Sequence, residues 1–177
     1  DDLFVDDFAS LDSARVGATQ TDPGTGNLYV EGNVQLDGKL AFKQSVSLGN
    51  DSGSGEVAYF GTGTLTTGKL YYLNTAGAWT LTDADSTASG GSQLLGIALG
   101  SSASSNGVLL RGFFDMNTYF SGTFTPGIPV MVDGVTAGNI TATQPTGTND
   151  FVRVVGYCTD TENVIYFNPD GTYIKLA

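Results

Sequence analysis

The sequence contains no histidine and only one cysteine, Cys158. Without histidine, the chain cannot by itself form a Ser-His-Asp triad, a Cys-His dyad or a histidine-ligated zinc site. One cysteine cannot form an internal disulfide, and its position in an apolar strand pattern predicts a buried, unreactive thiol. Any catalysis by these residues would therefore depend on carboxylates.

Basic residues are scarce as well: seven lysines and arginines stand against 18 aspartates and glutamates, for a formal net charge of −11. Such a chain is repelled by nucleic-acid phosphates and by anionic lipids, so we expect neither as a partner. Apolar runs are also short, and none approaches the roughly 20 residues that a helix needs to cross a bilayer. We therefore predict no membrane insertion.

What the sequence does contain is glycine, serine, threonine and short alternating apolar segments, which are typical of many strands joined by tight turns. One stretch, residues 65–98, recurs as residues 124–158. Each copy has a Thr-x-Gly step, an apolar strand, an Ala-Gly turn, a second strand and an x-Gly-aliphatic strand. We interpret this recurrence as one β module used twice.

These patterns predict an all-β protein. We expect an extended N-terminal β segment over residues 1–55, followed by a compact β-sandwich or barrel over residues 56–177, with related modules at about 61–114 and 120–177. Residues 15–26 and 48–55 are rich in turn-forming residues, so we expect a linker and a flexible joint there. No stretch of ten or more residues keeps a helical period.

Residues 28–42 carry an alternating apolar stripe broken by Gly-Asn and Asp-Gly turns. Alternation means that each short strand has one face to bury, and one chain's pair of such strands is too small to be stable alone. Either the downstream domain or further copies of the same segment can cover this stripe. We predict an oligomer interface formed by Leu28, Val30, Val34, Leu36, Leu40 and Phe42.

Four strings in the chain resemble a known class of proteins. LYVEGNVQLDGKL at residues 28–40 looks like the short β repeats in stalks of bacteriophage tail fibres and related virion adhesins. GIPVMV at 127–132, DFVRVVGYC at 150–158 and IYFNPDGTY at 165–173 are similar to a module of phage structural proteins, particularly of marine and cyanobacterial hosts. The resemblance implies a virion component and a parallel homotrimer, and no catalytic motif accompanies it.

Candidate binding residues are three aromatics. A ring near a loop can stack on the face of a sugar, and by this reasoning we select Trp79, Tyr119 and Phe120, although the strand pattern favours a core position for Trp79. We predict no metal site and no cofactor, because the Asp83-x-Asp85 pair lacks the ligand spacing of a calcium loop. A glycosidase would need paired carboxylates, for which the sequence offers Asp115, Asp133, Asp150, Asp160 and Glu162.

The function that these observations favour is non-enzymatic. We expect a phage tail-fibre or adhesin segment, located in the virion, that contacts a host-surface glycan and uses its acidic N terminus to dock on other virion proteins. Loops at residues 82–92 and 100–107 are further candidate contacts. One alternative is a capsid-decorating or head-fibre protein, and another is a small carbohydrate-active enzyme that would depend on Asp133 or Asp150.

Overall fold

A computed structural model of the chain describes residues 14–16, 28–30 and 46–177, and the chain divides into units 1–42 and 43–177. In the first unit, β1 (Ala14–Val16) pairs in parallel with β2 (Leu28–Val30). The predicted linker over residues 15–26 therefore begins too early, because Arg15 and Val16 belong to β1. Parallel strands need a connection of about a dozen residues or more between them, and that connection can begin only after β1. Val34, Leu36, Leu40 and Phe42 lie outside the described residues.

The second unit consists of short strands with one turn of 3-10 helix at Thr87–Ser89 and one helical turn, α1, at Ala103–Asn106. The strands are β3 (Gly53–Ala58), β4 (Leu70–Leu73), β5 (Trp79–Leu81), β6 (Leu95–Ala98), β7 (Val108–Asp115), β8 (Phe120–Ser121), β9 (Pro129–Val132), β10 (Ile140–Thr141), β11 (Phe151–Val152), β12 (Val154–Cys158), β13 (Val164–Phe167) and β14 (Ile174–Lys175). The all-β prediction is confirmed, and the large curled sheet forms a half-barrel.

The longest strand, β7, is the point at which the large sheet divides. Val108 pairs with strands on both of its sides, through Ala58 of β3 and Ala98 of β6. Near the other end of β7, Phe114 pairs with β3 and with Ile165 of β13. Since β3 occupies one edge throughout, β6 and β13 share the opposite edge. From there, β6-β4-β5 form what we call the first branch, and β13-β12-β9-β10-β8 form the second branch.

The main hydrophobic core draws on both branches. Leu70 and Ile97 come from the first branch, Val130 and Ile165 from the second, and Phe114 from β7, and all five are fully buried. A smaller cluster is formed by the first branch, the start of β7 and flanking segments; its buried members are Leu65, Tyr71, Trp79, Ala98, Ala103 and Val108. The first branch therefore has buried apolar residues on both faces of its sheet.

Strand β3 begins at Gly53, inside the segment predicted as a flexible joint. Gly55 stands opposite Gly112 of β7, and a Cβ atom on Gly55 would overlap the carbonyl oxygen of Arg111. Glycine is required there because the two backbones approach too closely for a side chain. The glycines that suggest flexibility in the sequence thus permit a tight strand pairing.

Each branch has the same connectivity. The order β5-β4-β6-β7 is repeated as β10-β9-β12-β13. In the first case β4 pairs with both β5 and β6, and in the second β9 pairs with both β10 and β12. The hydrogen bonds correspond as well. The Gly68 N–H donates to the Ala98 carbonyl at 2.9 Å, and the Gly127 N–H donates to the Cys158 carbonyl at 2.9 Å.

Arg153 separates β11 from β12, where the sequence alone suggests one continuous strand. Its side chain is 3% exposed, and its guanidinium donates to the carbonyl oxygens of Gly90, Gln93 and Asp170. Burial lowers the pKa of Arg153, an effect that the nearby Asp170 partly opposes. This side chain joins the loop after β5 to the C-terminal segment, and both flank the candidate site described next.

Candidate functional site

A cavity of about 760 Å³ lies beside the turn that joins β9 to β10. Its walls combine polar and apolar surface and include hydroxyl and carboxylate side chains and the loop at residues 143–148. None of the lining residues, all of which belong to the described part of the chain, is lysine or arginine. The side chains that matter for its chemistry are Asp85, Ser121, Asp133, Thr141, Thr143 and Asp150.

Asp133 is held in place by the hairpin turn itself. It follows β9 directly and is 4% exposed. Its Oδ1 accepts a hydrogen bond from the Val135 N–H at 2.7 Å, which is the Asx turn that aspartate favours at this position. Its Oδ2 accepts a hydrogen bond from the Ser121 hydroxyl. Ser121 is brought there by β8, which pairs in parallel with β10.

Asp85 comes from the loop after β5, in the first branch. The neighbouring Ala84 is fully buried, and its N–H donates to the Asp133 carbonyl at 3.1 Å. Its own carbonyl accepts a hydrogen bond from the Phe151 N–H at 2.8 Å. These two backbone bonds fix the loop against the second branch, so Asp85 reaches a cavity that is otherwise built from the second branch.

Asp150 forms another wall of the cavity and is 7% exposed. Its Oδ2 accepts a hydrogen bond from the Gly147 N–H at 2.7 Å, and its backbone carbonyl accepts one from the Leu176 N–H at 2.7 Å. Among the described residues, no donor bonds to its Oδ1. The chain therefore leaves one oxygen of this nearly buried carboxylate available.

Gly134 marks the place where two of the carboxylates converge. A Cβ atom on this glycine would lie 3.3 Å from Asp150 Oδ2 and 3.4 Å from Asp85 Oδ1. These are tight contacts, so the missing side chain keeps open the space in front of both carboxylates. Any larger residue would intrude between them.

The charges of neighbouring aspartates act on Asp85. The pKa of Asp85 is raised above its ordinary value, first by the charge of Asp83, then by partial loss of hydration, and then by the charges of Asp150 and Asp133. A search of the described residues finds no group of three acidic, cysteine or histidine side chains that could hold a metal ion. The arrangement instead offers separate acceptors for the donors of a larger ligand.

The aromatics selected from the sequence do not line this cavity. Trp79 is 3% exposed, and its indole N–H donates to the Phe60 carbonyl at 2.8 Å. An enclosed ring cannot stack on a sugar, so the structure corrects the binding role assigned to Trp79 and gives it the core position that its strand pattern favours. The reason is that the segment before β4 covers this face of the first branch, through Leu65.

Tyr119 and Phe120 are half-buried and pack against the main core. The Lys69 ammonium lies 5.2 Å from the centre of the Tyr119 ring, and the Phe120 ring contacts the Phe124 ring edge-on with centres 5.6 Å apart. Both residues directly precede Ser121 in the sequence. Their binding role stays a prediction, as does the interface role of Leu28 and Val30.

Of the five carboxylates considered for a glycosidase, the structure brings Asp133 and Asp150 to one cavity. Asp115 is elsewhere, with its Oδ1 accepting from the Asn117 N–H, and burial raises its pKa. Asp160 and Glu162 do not line the cavity either. The common location of Asp133 and Asp150 is a result of folding that their separation of 17 positions does not reveal.

Sequence reasoning missed Ser121, Thr141 and Thr143 as parts of a site, and it included Asp85 only as a member of the candidate contact loop at residues 82–92. The only signal is the string TATQPTGTND at residues 141–150, which is rich in threonine and ends at Asp150. Such strings are equally typical of ordinary turns, so the pattern alone does not indicate a binding wall.

Comparison with known proteins gives no further guide: no protein-family model, no curated protein and no solved structure matches this chain significantly. Within the described residues, none of the helices has the length and apolar character needed to span a membrane. The cavity and the resemblance noted in the sequence are therefore the observations that bear on function.

Proposed function

We propose that this chain is a non-enzymatic structural protein of a phage virion, a segment of a tail fibre or adhesin, and that its cavity binds a host-surface glycan. The observation that carries the glycan assignment is the cavity beside the β9–β10 turn, whose wall includes hydroxyl and carboxylate side chains. Its volume is in the range of small-ligand sites, roughly 300–1,000 Å³. Hydroxyl and carboxylate walls suit a ligand with many hydroxyl groups, because each wall group can accept or donate a hydrogen bond.

One feature of Asp133 supports binding without hydrolysis. A glycosidase needs one carboxylate to donate a proton and another to act as nucleophile or base. Both oxygens of Asp133 are occupied by hydrogen bonds from Val135 and Ser121, so this side chain serves the local structure. The alternative of a small carbohydrate-active enzyme still has a specific observation in its favour, since Asp133 and Asp150 share the cavity.

The enzyme alternative is tested by incubating the full chain with host polysaccharide and measuring the length distribution of the polymer. We expect binding without shortening. If the polymer is shortened and Asp150→Asn abolishes the effect, the protein is an enzyme and the proposal is wrong in this respect.

We also propose that the chain acts as a homotrimer, as the tail-fibre resemblance implies. Three copies would present three cavities, and weak individual binding would then gain from multivalency. Light scattering of the full chain at micromolar concentration should return a trimer mass. Leu36→Asp should weaken association if the apolar stripe lies between chains. A monomer mass for the parent chain would contradict the proposed trimer.

Location in the virion decides between the two structural alternatives. Antibodies raised against the full chain and carrying gold label should bind at the tail or its fibres on intact virions. Label spread over the head would instead favour the capsid-decorating protein. A screen of the full chain against host-surface glycans then tests the binding role, for which a complete lack of binding is the contrary result.

A further inference from the structure

Asp85, Asp133 and Asp150 line the cavity, and no lysine or arginine of the described residues forms an ion pair with them. The Lys69 ammonium donates to the Ala137 carbonyl at 3.0 Å and lies over the Tyr119 ring. The Arg153 guanidinium donates to three backbone carbonyls. A positively charged ligand would therefore gain electrostatic energy here without displacing an ion pair of the protein.

The free acceptors are concentrated on two of the three aspartates. Asp133 has both oxygens hydrogen-bonded, whereas Asp150 is nearly buried and has Oδ1 without a donor in the described chain. The described residues also provide no hydrogen bond to the carboxylate of Asp85. A ligand that supplies charged N–H donors can form charge-assisted hydrogen bonds with these free oxygens.

The position of Gly134 shows where such a donor group fits. The Asp150 and Asp85 carboxylates approach the space beside this glycine to within 3.3 and 3.4 Å of a Cβ position. Because the carboxylates are not grouped closely enough to hold a metal ion, a group with several N–H donors is the better match. A protonated primary amine has three such donors.

Building on the proposed function, we propose that the cavity selects a glycan unit that carries a protonated amine, meaning an amino sugar without an N-acetyl group. The ammonium group lies beside Gly134 and donates to Asp150 and Asp85, while the sugar hydroxyls bond to Ser121, Thr141 and Thr143. N-acetylation removes the positive charge and adds bulk at the same nitrogen, so the acetylated sugar loses both contacts.

The test is calorimetric titration of the full chain with a glucosamine tetramer and, separately, with the N-acetylglucosamine tetramer. We expect the glucosamine tetramer to bind at least about tenfold more tightly, the difference of one charge-assisted contact. Asp150→Asn and Gly134→Ala should each weaken that binding by a similar factor, the first by removing the charge and the second by filling the space. Gly171→Ala is the matched control, because no atom lies within 4 Å of its Cβ position.

Equal affinity for the two tetramers, or no binding of the glucosamine tetramer, would overturn the selection for an amine. The proposed function fails separately, when the full chain binds no host-surface glycan at all. If Asp150→Asn or Gly134→Ala unfolds, Asp85→Asn replaces it, since Asp85 is exposed and its side chain bonds to no described residue. Unchanged binding by the folded variants would place the amine elsewhere and contradict the inference.

Discussion

The β4–β5 hairpin of the first branch and the β9–β10 hairpin of the second have the same turn in different surroundings. In each, the residue after the first strand accepts a hydrogen bond from the N–H two positions later: Asn74 from Ala76 at 2.9 Å, and Asp133 from Val135 at 2.7 Å. Asn74 is partly exposed, and its other side-chain bonds, accepted from the Ala78 N–H and donated to Thr80, stay within its own hairpin. Asp133 instead bonds to a residue on another strand and forms a cavity wall.

A glycine with a left-handed backbone closes both turns. Gly77 has a φ of 76°, and no atom lies within 4 Å of its Cβ position. Gly138 has a φ of 79°, but its N–H donates to the Thr82 carbonyl and its carbonyl accepts from the Leu70 N–H, both at 2.8 Å. The second turn thus joins the two branches, whereas the first makes no such contact. The comparison shows that packing gives one local motif two roles.

The largest expected effect separates the two glycines. Alanine at either position is strained at positive φ, by roughly 1–2 kcal/mol. At Gly138 the new methyl group would also lie 2.5 Å from Leu81 Cδ2, so Gly138→Ala should lower the free energy of unfolding by about 3 kcal/mol or more. Urea denaturation of Gly77→Ala and Gly138→Ala measures both changes. Equal losses would show that the Gly138 turn does not hold the branches together.

A smaller difference is expected for the residues that begin the turns. Asp133→Ala leaves the Ser121 hydroxyl and the Val135 N–H without their partner in a nearly buried place, which should cost about 2 kcal/mol. Asn74→Ala should cost about 1 kcal/mol or less, because water reaches that turn and can replace the side chain.

Thermal or urea unfolding of these two variants gives the comparison, with Asp133→Asn as a control that keeps the shape of the side chain. A loss for Asn74→Ala as large as that for Asp133→Ala would contradict the distinction between an open turn and a cavity wall.

The smallest expected effect concerns the pH dependence of the acidic loop. The pKa of Asp85 is raised, chiefly by Asp83, so the folded state holds this proton more tightly than the unfolded chain does. Ionisation of Asp85 therefore destabilises the fold. That destabilisation is absent below the unfolded pKa, increases between the unfolded pKa near 3.8 and the raised folded pKa, and stays constant above it.

Asp85→Asn should accordingly be slightly more stable than the parent above this pH window, and the advantage should disappear below it. NMR titration of Asp85 should show that Asp83→Asn lowers its pKa more than Asp150→Asn does. A larger effect of Asp150→Asn would mean that the cavity, and not the loop, governs this carboxylate.

Much of the strand content could be predicted from short-range patterns. Short apolar runs bounded by turn residues indicate β4, β6, β7 and β13, as expected for strands that are buried on one or both faces. The patterns are ambiguous at glycine, which can indicate either a flexible joint or a close approach of two strands. Gly53 and Gly55 suggest a joint, yet they lie in β3 because β7 approaches them closely. Trp79 is also a candidate ligand platform, but its strand pattern favours the core, and a covering segment buries it.

The candidate site was harder to predict, because its groups come from distant parts of the chain. Asp133 and Asp150 are named as carboxylates from the sequence, but any of the five candidates could have been paired. The backbone bonds of Ala84 to Asp133 and Phe151 bring the loop of the first branch to the second branch. Contacts of this kind leave no periodic trace in the sequence.

The sequence by itself determines the all-β class, the absence of histidine chemistry from this chain and the acidic charge, because these follow from composition and from local alternation. Only the tertiary structure decides that β7 divides the sheet, that Trp79 is enclosed, and that three aspartates share one cavity. The physical reason is that strand pairing and core packing join residues far apart in the chain, and the same turn then acquires its role from whatever packs against it.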